Sequence, residues 1–349
     1  MKGASWLVAG VVLVLWAGKA GAQTEGFEYN VDNRTFTTLS VPGAFSTQAF
    51  GVSGQDVVGS YAGTAQDGFL YNGSTYQTFA VPGAISTAAY GISGNDIVGG
   101  AFIGKGYQGF IKDGTNYSTF AMAGASSTYA TGVSSSGVIG NYQVGSTLHM
   151  FFYDGKSLST IAPPDATSSQ AGAISASGDM VGTYVKVEGG AAYGFLYDGT
   201  NYTTIAPKGS TSTFAIGISG NDVVGDATIA GVEHGYIYDS GSYTILSVPG
   251  STGTTATAID GQEVIGTYHV GEFAFGYVYD DVTRVYTTFS EPGALNTTPA
   301  AISGNNVIGT YFAPLSVPEP SSIVLLGTAV ALTAVLSRKR RQSAGPAIR

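Results

Sequence analysis

One pattern of apolar and polar positions recurs along the chain at intervals of 41 to 43 residues. Its clearest copy begins at Gly68 and reads GFLYNGSTYQTFAVPGAISTAAYGISGNDIVG. The seven copies begin at Gly26, Gly68, Gly109, Phe151, Gly194, Gly235 and Gly276. A fixed period in this range is typical of repeat architectures, so the pattern predicts seven structural repeats.

Each copy predicts four short strands. The first carries aromatic residues two positions apart, such as Phe69 and Tyr71, which places both rings on one face. A polar turn of the NGST or DGTN type leads into a second strand rich in Thr and aromatic residues, which favour a pleated surface. Pro-Gly or a related loop ends that strand.

The third and fourth strands carry the smaller residues. Gly and Ala in the third, as in AYGIS from Ala89, indicate close approach by a neighbouring backbone. The fourth has two apolar residues followed by Gly, as at Val57, Val58 and Gly59, in all seven copies. We expect one repeat to form a four-stranded antiparallel meander.

The predicted fold is an all-β, seven-bladed β-propeller. A unit of about 42 residues and four strands matches propeller blades, and ring closure removes exposed sheet edges. An open β-solenoid is the alternative. We expect the propeller to occupy residues 23–315 as one domain.

The first 22 residues predict a secretory signal peptide. Lys2 precedes an apolar run at residues 6–17, and the small residues Ala20 and Ala22 fit a cleavage site. An uncleaved membrane anchor is the alternative. Both predict export.

Residues 316–349 differ from the repeats. Pro318, Glu319 and Pro320 precede an apolar run at residues 323–336, which predicts a short transmembrane helix. A basic cluster follows this run and consists of Arg338, Lys339, Arg340 and Arg341. The cluster predicts that the end of the chain is retained on the cytoplasmic side of the membrane.

This tail resembles the PEP-CTERM sorting signal of Gram-negative bacteria that make extracellular polysaccharide. The resemblance implies recognition of Pro318, Glu319 and Pro320 by an exosortase, a membrane-embedded processing enzyme, after cleavage by signal peptidase. Membrane attachment through the tail would then be transient. The body is similar to the HAF family of extracellular repeats in its GFLY, Pro-Gly, GIS and VVG motifs, which implies a cell-surface or extracellular location.

The amino-acid composition excludes several kinds of site and partner. The chain has no Cys, which excludes disulfides, thiolate metal sites and a Cys nucleophile. Between the two terminal segments stand seven Lys and Arg against 22 Asp and Glu, a net charge of −15. Such a body should repel nucleic acid.

The sequence predicts no catalytic, cofactor or metal site. Most Asp residues occupy repeated turns, where a structural role is expected. His149, His234 and His269 fall in the variable connections between the fourth strand and the next first strand, and they are weak candidates for a site on one rim of the ring. The many Tyr and Phe rings could stack on sugars, although packing between blades is their more usual role.

These features favour a non-enzymatic, exported surface or extracellular-matrix protein that binds glycan or protein. The alternatives are a polysaccharide-acting propeller enzyme with an acid and His pair on the variable rim, and a structural protein that associates with itself.

Overall fold

Seven four-stranded antiparallel sheets form the structure. The computed structural model describes residues 22–314, and all regular secondary structure in that range is β-strand. The sheets are the blades of a seven-bladed propeller, which confirms the predicted fold class. The solenoid alternative is wrong, because the first and last strands share one sheet.

The 28 strands are short and follow one another in chain order. They are β1 (Ala22–Asn30), β2 (Thr35–Leu39), β3 (Ser46–Ser53), β4 (Asp56–Ala62), β5 (Gln66–Tyr71), β6 (Tyr76–Phe79), β7 (Ser86–Ser93), β8 (Asp96–Ile103), β9 (Gly106–Asp113), β10 (Asn116–Phe120), β11 (Ser127–Ser134), β12 (Gly137–Val144), β13 (Thr147–Tyr153), β14 (Leu158–Ile161), β15 (Ser168–Ile174), β16 (Met180–Val185), β17 (Ala192–Tyr197), β18 (Tyr202–Ile205), β19 (Ser210–Ser219), β20 (Asp222–Ile229), β21 (Val232–Asp239), β22 (Ser242–Leu246), β23 (Gly253–Asp260), β24 (Glu263–Val270), β25 (Phe273–Asp280), β26 (Val285–Phe289), β27 (Asn296–Ser303) and β28 (Asn306–Pro314).

Blades 1 to 6 each take four consecutive strands, beginning with β3–β6 and ending with β23–β26. We call the strands a to d, from the central channel outward. Blade 7 joins the two ends of the chain, since its strands a and b are β27 and β28 and its strands c and d are β1 and β2.

The blade boundary does not coincide with the sequence repeat. The prediction that one repeat makes one blade is wrong: the copy that begins at Gly68 supplies strands c and d of blade 1 and strands a and b of blade 2. The variable connection closes a hairpin within a blade, as the pairing of Ala62 with Gln66 shows. The Pro-Gly loop instead crosses from one blade to the next.

The uniform Gly of strand b has a steric cause. A Cβ on Gly140 would lie 2.2 Å from the Tyr129 carbonyl oxygen, and one on Gly225 would lie 1.9 Å from that of Phe214. Both oxygens belong to strand a beside a β-bulge. Only glycine lets the two strands pair at this distance.

Polar side chains join consecutive blades. A buried hydroxyl on strand a accepts a hydrogen bond from the incoming loop, as Thr47 does from the Val41 N–H at 3.0 Å. On strand d, the Tyr202 hydroxyl accepts from the Ala162 N–H of the loop entering its blade, at 3.2 Å. Phe69 and its counterparts on strand c are fully buried. The repeated rings therefore pack the blades together.

Antiparallel order gives the ring two unlike faces. The a–b and c–d turns lie on the hairpin face, and the b–c turns and inter-blade loops lie on the loop face. The acidic residues on the hairpin face are Asp32, Asp56, Asp96, Asp113, Asp154, Asp179, Asp198, Asp222, Asp239, Asp260, Glu263, Asp280 and Asp281. The exposed large apolar residues on the loop face are Phe45, Ile85, Val144, Val187, Val232, Val270, Phe273 and Leu295. One face is thus mainly acidic and the other partly apolar.

Candidate functional site

The three histidines lie in strands of three different blades, not in the variable connections. His149 is in β13 of blade 3, His234 in β21 of blade 5 and His269 in β24 of blade 6. The expected position is wrong because the hairpins are tighter than the sequence suggests, with only two residues between β12 and β13. His149 packs against the Tyr142 ring at 5.2 Å.

Glu233 of blade 5 and His269 of blade 6 both lie beside Gly253, whose Cβ would be 3.9 Å from the Glu233 Cβ and 4.0 Å from the His269 Nδ1. Glu233 and His234 are adjacent in β21, so their side chains leave opposite faces of the sheet. The His234 Nδ1 atom is buried without a hydrogen-bond partner. Within residues 22–314, no three His, Asp or Glu side chains are grouped so that they could hold a metal ion.

The terminal predictions lie mostly outside the described residues. Ala22 is the first residue of β1, whereas Ala20, the Pro318–Glu319–Pro320 motif and the basic cluster from Arg338 to Arg341 are not described. The predicted C-terminal transmembrane helix is also outside that range. No helix in residues 22–314 is long and apolar enough to cross a membrane.

A central cavity of about 600 Å³ lies among the innermost strands of the ring. Strand a of every blade lines it, and its wall is uneven. Phe312, Phe50 and Tyr90 supply aromatic rings on blades 7, 1 and 2. At the strand a position of Phe50 and Tyr90 the other five blades carry smaller residues, such as Thr131, Ile216, Thr257 and Ala300.

Blade 2 has an aromatic recess beside this cavity. A Cβ on Gly100 would lie 3.2 Å from the Tyr129 Cβ, 3.6 Å from the Tyr107 Cδ1 and 3.7 Å from the Tyr90 Cε2. Tyr90 also packs edge-on against Phe50, with 5.4 Å between ring centroids. We call these four aromatic residues around Gly100 the tyrosine recess.

Two tyrosines of the recess, Tyr90 and Tyr129, have raised pKa values. Burial raises the pKa of Tyr90, and the neighbouring Tyr107 and Tyr129 raise it further. Burial also raises the pKa of Tyr129. Among residues 22–314, the hydroxyls of these three tyrosines have no hydrogen-bond partner. They therefore keep donors and acceptors free for a ligand, beside rings that offer apolar faces.

The sequence contains a signal for this recess that repeat analysis missed. In six blades the residue after the invariant strand b glycine is polar, namely Ser60, Asn141, Thr183, Asp226, Thr267 and Thr310. Only blade 2 has glycine there, at Gly100. Because Gly100 has no side chain, the three tyrosines pack closely against the strand b backbone there.

Asp226 is a buried acid on strand b of blade 5. Its Oδ1 accepts a hydrogen bond from the Ala256 N–H of blade 6 at 2.8 Å. Burial raises the pKa of this carboxyl well above its usual range, the Ala256 hydrogen bond opposes that shift, and the Glu233 charge adds to it. The contact joins two blades, so we assign Asp226 a structural role.

Comparison with known proteins supports the fold. No protein-family model matches the chain, and no curated protein matches it. The β-propeller domain of the Trilobed protease from Pyrococcus furiosus is similar, with a TM-score of 0.56, 10% identity, and coverage of 76% of this chain and 89% of that one. That domain is described as having an open velcro topology, whereas blade 7 here combines strands from both ends of the chain.

A second similar structure is acylaminoacyl peptidase from Pyrococcus horikoshii. Its TM-score is 0.53 at 10% identity, over 75% of this chain and 47% of that one. The chain therefore spans about half the length of that peptidase. At such identities these likenesses show the shared propeller fold and do not indicate an activity.

Proposed function

We propose that this protein is an exported, surface-associated propeller that binds an extracellular glycan in the tyrosine recess and acts by binding, without catalysis. The recess is the observation that carries the proposal. It combines aromatic rings, neutral hydroxyls and an adjoining cavity of about 600 Å³. Sugar rings present an apolar face and a rim of hydroxyls, which match these groups.

Export and membrane attachment rest on the terminal sequences. The N-terminal signal peptide would direct secretion, and the PEP-CTERM-like tail would be processed by an exosortase-type enzyme. The net charge of −15 between the ends is consistent with a partner that is neither nucleic acid nor a polyanion. A glycan of the cell surface or matrix fits this location.

The test is a glycan array followed by calorimetry with the best ligand. Gly100→Ser introduces the side chain that blade 1 has at Ser60, and its Cβ would lie 3.2 Å from the Tyr129 Cβ. Because the new side chain crowds Tyr129 and disturbs the arrangement of the three tyrosines, we expect glycan affinity to fall at least tenfold. Tyr90→Phe keeps the ring and removes one hydroxyl, so we expect a smaller loss.

The matched control is Ser60→Gly, which makes the reverse change at the same position of blade 1. It should leave affinity unchanged, and thermal melting should show that both variants fold. Binding that survives Gly100→Ser at full strength would refute the recess as the site. Depolymerisation of a polysaccharide by the protein would refute the non-enzymatic assignment.

A further inference from the structure

One structural position on the loop face differs between two parts of the ring. The residue lies where the inter-blade loop meets strand a, and in every blade except blade 5 its backbone N–H donates to the carbonyl oxygen near the end of strand b. In blade 1, for example, the Phe45 N–H lies 2.7 Å from the Ala62 oxygen. In blades 7, 1 and 2 the residues at this position are Leu295, Phe45 and Ile85.

In the other four blades this position is hydroxylated. The residues are Ser126, Thr167, Thr211 and Thr252. Each hydroxyl donates to a strand b carbonyl, for example Thr167 to Val185 at 3.0 Å, and the other three at 3.3 Å. A Ser or Thr therefore suits this position structurally, and the fold does not require a large apolar residue there.

Three consecutive blades instead expose large apolar side chains. Phe45 is 73% exposed, Ile85 is 68% exposed and Leu295 is 44% exposed. We call these three residues the apolar arc. Large apolar side chains exposed on one face often mark a contact surface. The b–c turns of blades 3 to 6 add exposed apolar residues to the same face, namely Val144, Val187, Val232, Val270 and Phe273.

The chain leaves the ring beside this arc. Strand β28 runs from the hairpin face to the loop face and ends at Pro314 in blade 7. The Leu295 N–H donates to the Phe312 oxygen at 2.8 Å, so the arc begins at this exit. The apolar run at 323–336 follows within a few residues, and even a fully extended connection would span only about 30 Å.

We propose that the apolar arc docks on the surface of a phospholipid bilayer. The inference rests on the proposed membrane attachment through the C-terminal tail. Insertion of residues 323–336 in lipid would keep Pro314, at the loop-face end of β28, within about 30 Å of the bilayer. Phe45, Ile85 and Leu295 then enter the interface, and the acidic hairpin face points away from it.

Site-specific fluorescence in the full-length chain tests the docking. Because the protein has no Cys, Ile85→Cys gives a single site for an environment-sensitive dye. Val282→Cys is the matched control, since Val282 is 63% exposed but lies in a turn of the hairpin face. Both proteins are reconstituted into phosphatidylcholine vesicles with and without brominated lipid.

We expect brominated lipid to quench the dye at position 85 at least twofold and to leave the dye at position 282 unchanged. Adding Phe45→Ser and Leu295→Ser to the Ile85→Cys protein should halve that quenching, because serine is the kind of residue that the other blades tolerate there. Full quenching after these substitutions would overturn the role of the arc.

The remaining outcomes distinguish failure of the docking proposal from failure of the proposed membrane attachment. A chain that floats with vesicles but shows no quenching at position 85 overturns the docking alone. Protection of that dye from a soluble quencher without lipid quenching indicates cover by residues 323–336, or by a second copy if the protection falls on dilution, and overturns the docking. A full-length chain that does not float overturns the membrane attachment and the docking with it.

Discussion

The junction between blades 3 and 4 and the junction between blades 5 and 6 share one contact but use different side chains. In the first, the Asn141 Oδ1 accepts from the Ala171 N–H at 2.9 Å. In the second, the Asp226 Oδ1 accepts from the Ala256 N–H at 2.8 Å. Both side chains are buried and follow the invariant glycine of strand b. An amide and a carboxylate oxygen make the same contact, so the charge is incidental to it.

The difference gives only one junction a dependence on pH. An amide accepts the hydrogen bond without carrying charge, whereas a buried carboxylate has lost its hydration. The raised pKa of Asp226 means that the folded state binds the proton more tightly than the unfolded state does. Its contribution to stability is present below the unfolded pKa and is lost as the pH rises through the folded pKa.

The largest expected effect on stability comes from the strand b glycine that both junctions have. Gly140→Ala and Gly225→Ala each place a Cβ about 2 Å from a backbone oxygen. We expect each variant to lose about 4 kcal/mol or more of unfolding free energy, because two backbones must separate. Denaturant unfolding at pH 5 and pH 8 measures this, and the loss should be similar at both. A loss below about 1 kcal/mol at either glycine would show that the bulge relaxes easily.

A smaller effect comes from exchanging the two acceptors. At pH 8, Asp226→Asn should gain about 1–3 kcal/mol and Asn141→Asp should lose a similar amount, because only the carboxyl can ionise when buried. Both differences should shrink as the pH falls towards 4. Melting curves across this range measure the trend. A change for Asp226→Asn that stays constant with pH would mean that Asp226 does not titrate in this range.

The smallest effect concerns the strand c ring beside each glycine. Blade 3 has Phe151 there, while blade 5 has Tyr236, whose hydroxyl donates to the Phe214 oxygen at 2.8 Å. Tyr236→Phe should cost about 1 kcal/mol, because one buried carbonyl loses its donor. The cost should be the same at pH 5 and pH 8, since burial raises the pKa of Tyr236 well above its usual range. If Tyr236→Phe is as stable as the parent, the Tyr236 hydroxyl adds nothing to stability beyond what the Phe151 ring provides in blade 3.

Local rules were sufficient to predict the strands and the number of blades. The aromatic pairs, the NGST turns and the VVG glycines each act within one repeat, so the sequence displays them directly. The grouping of strands into blades was not predicted correctly, because hairpin and inter-blade loops are of similar length and both contain turn residues. Only the three-dimensional pairing shows that the Pro-Gly loop crosses between blades.

The candidate site was harder to predict from the sequence. Histidine is rare in this sequence, so His149, His234 and His269 were the residues predicted as site candidates. The fold places them in three different blades. The tyrosine recess depends on Gly100, where a side chain present in the other blades is missing, and on Tyr129 from the neighbouring blade. The repeat period does not show which side chains of neighbouring blades come into contact, so this contact could not be predicted from the sequence.

The shared sheet of blade 7 also bears on how this protein is made. Strand β28 lies beside β1, so the first strand to leave a ribosome must wait for the last one before its edge is paired. Such long-range pairing is slow and needs the whole chain. A polypeptide of this topology therefore cannot close into a ring until its synthesis is complete.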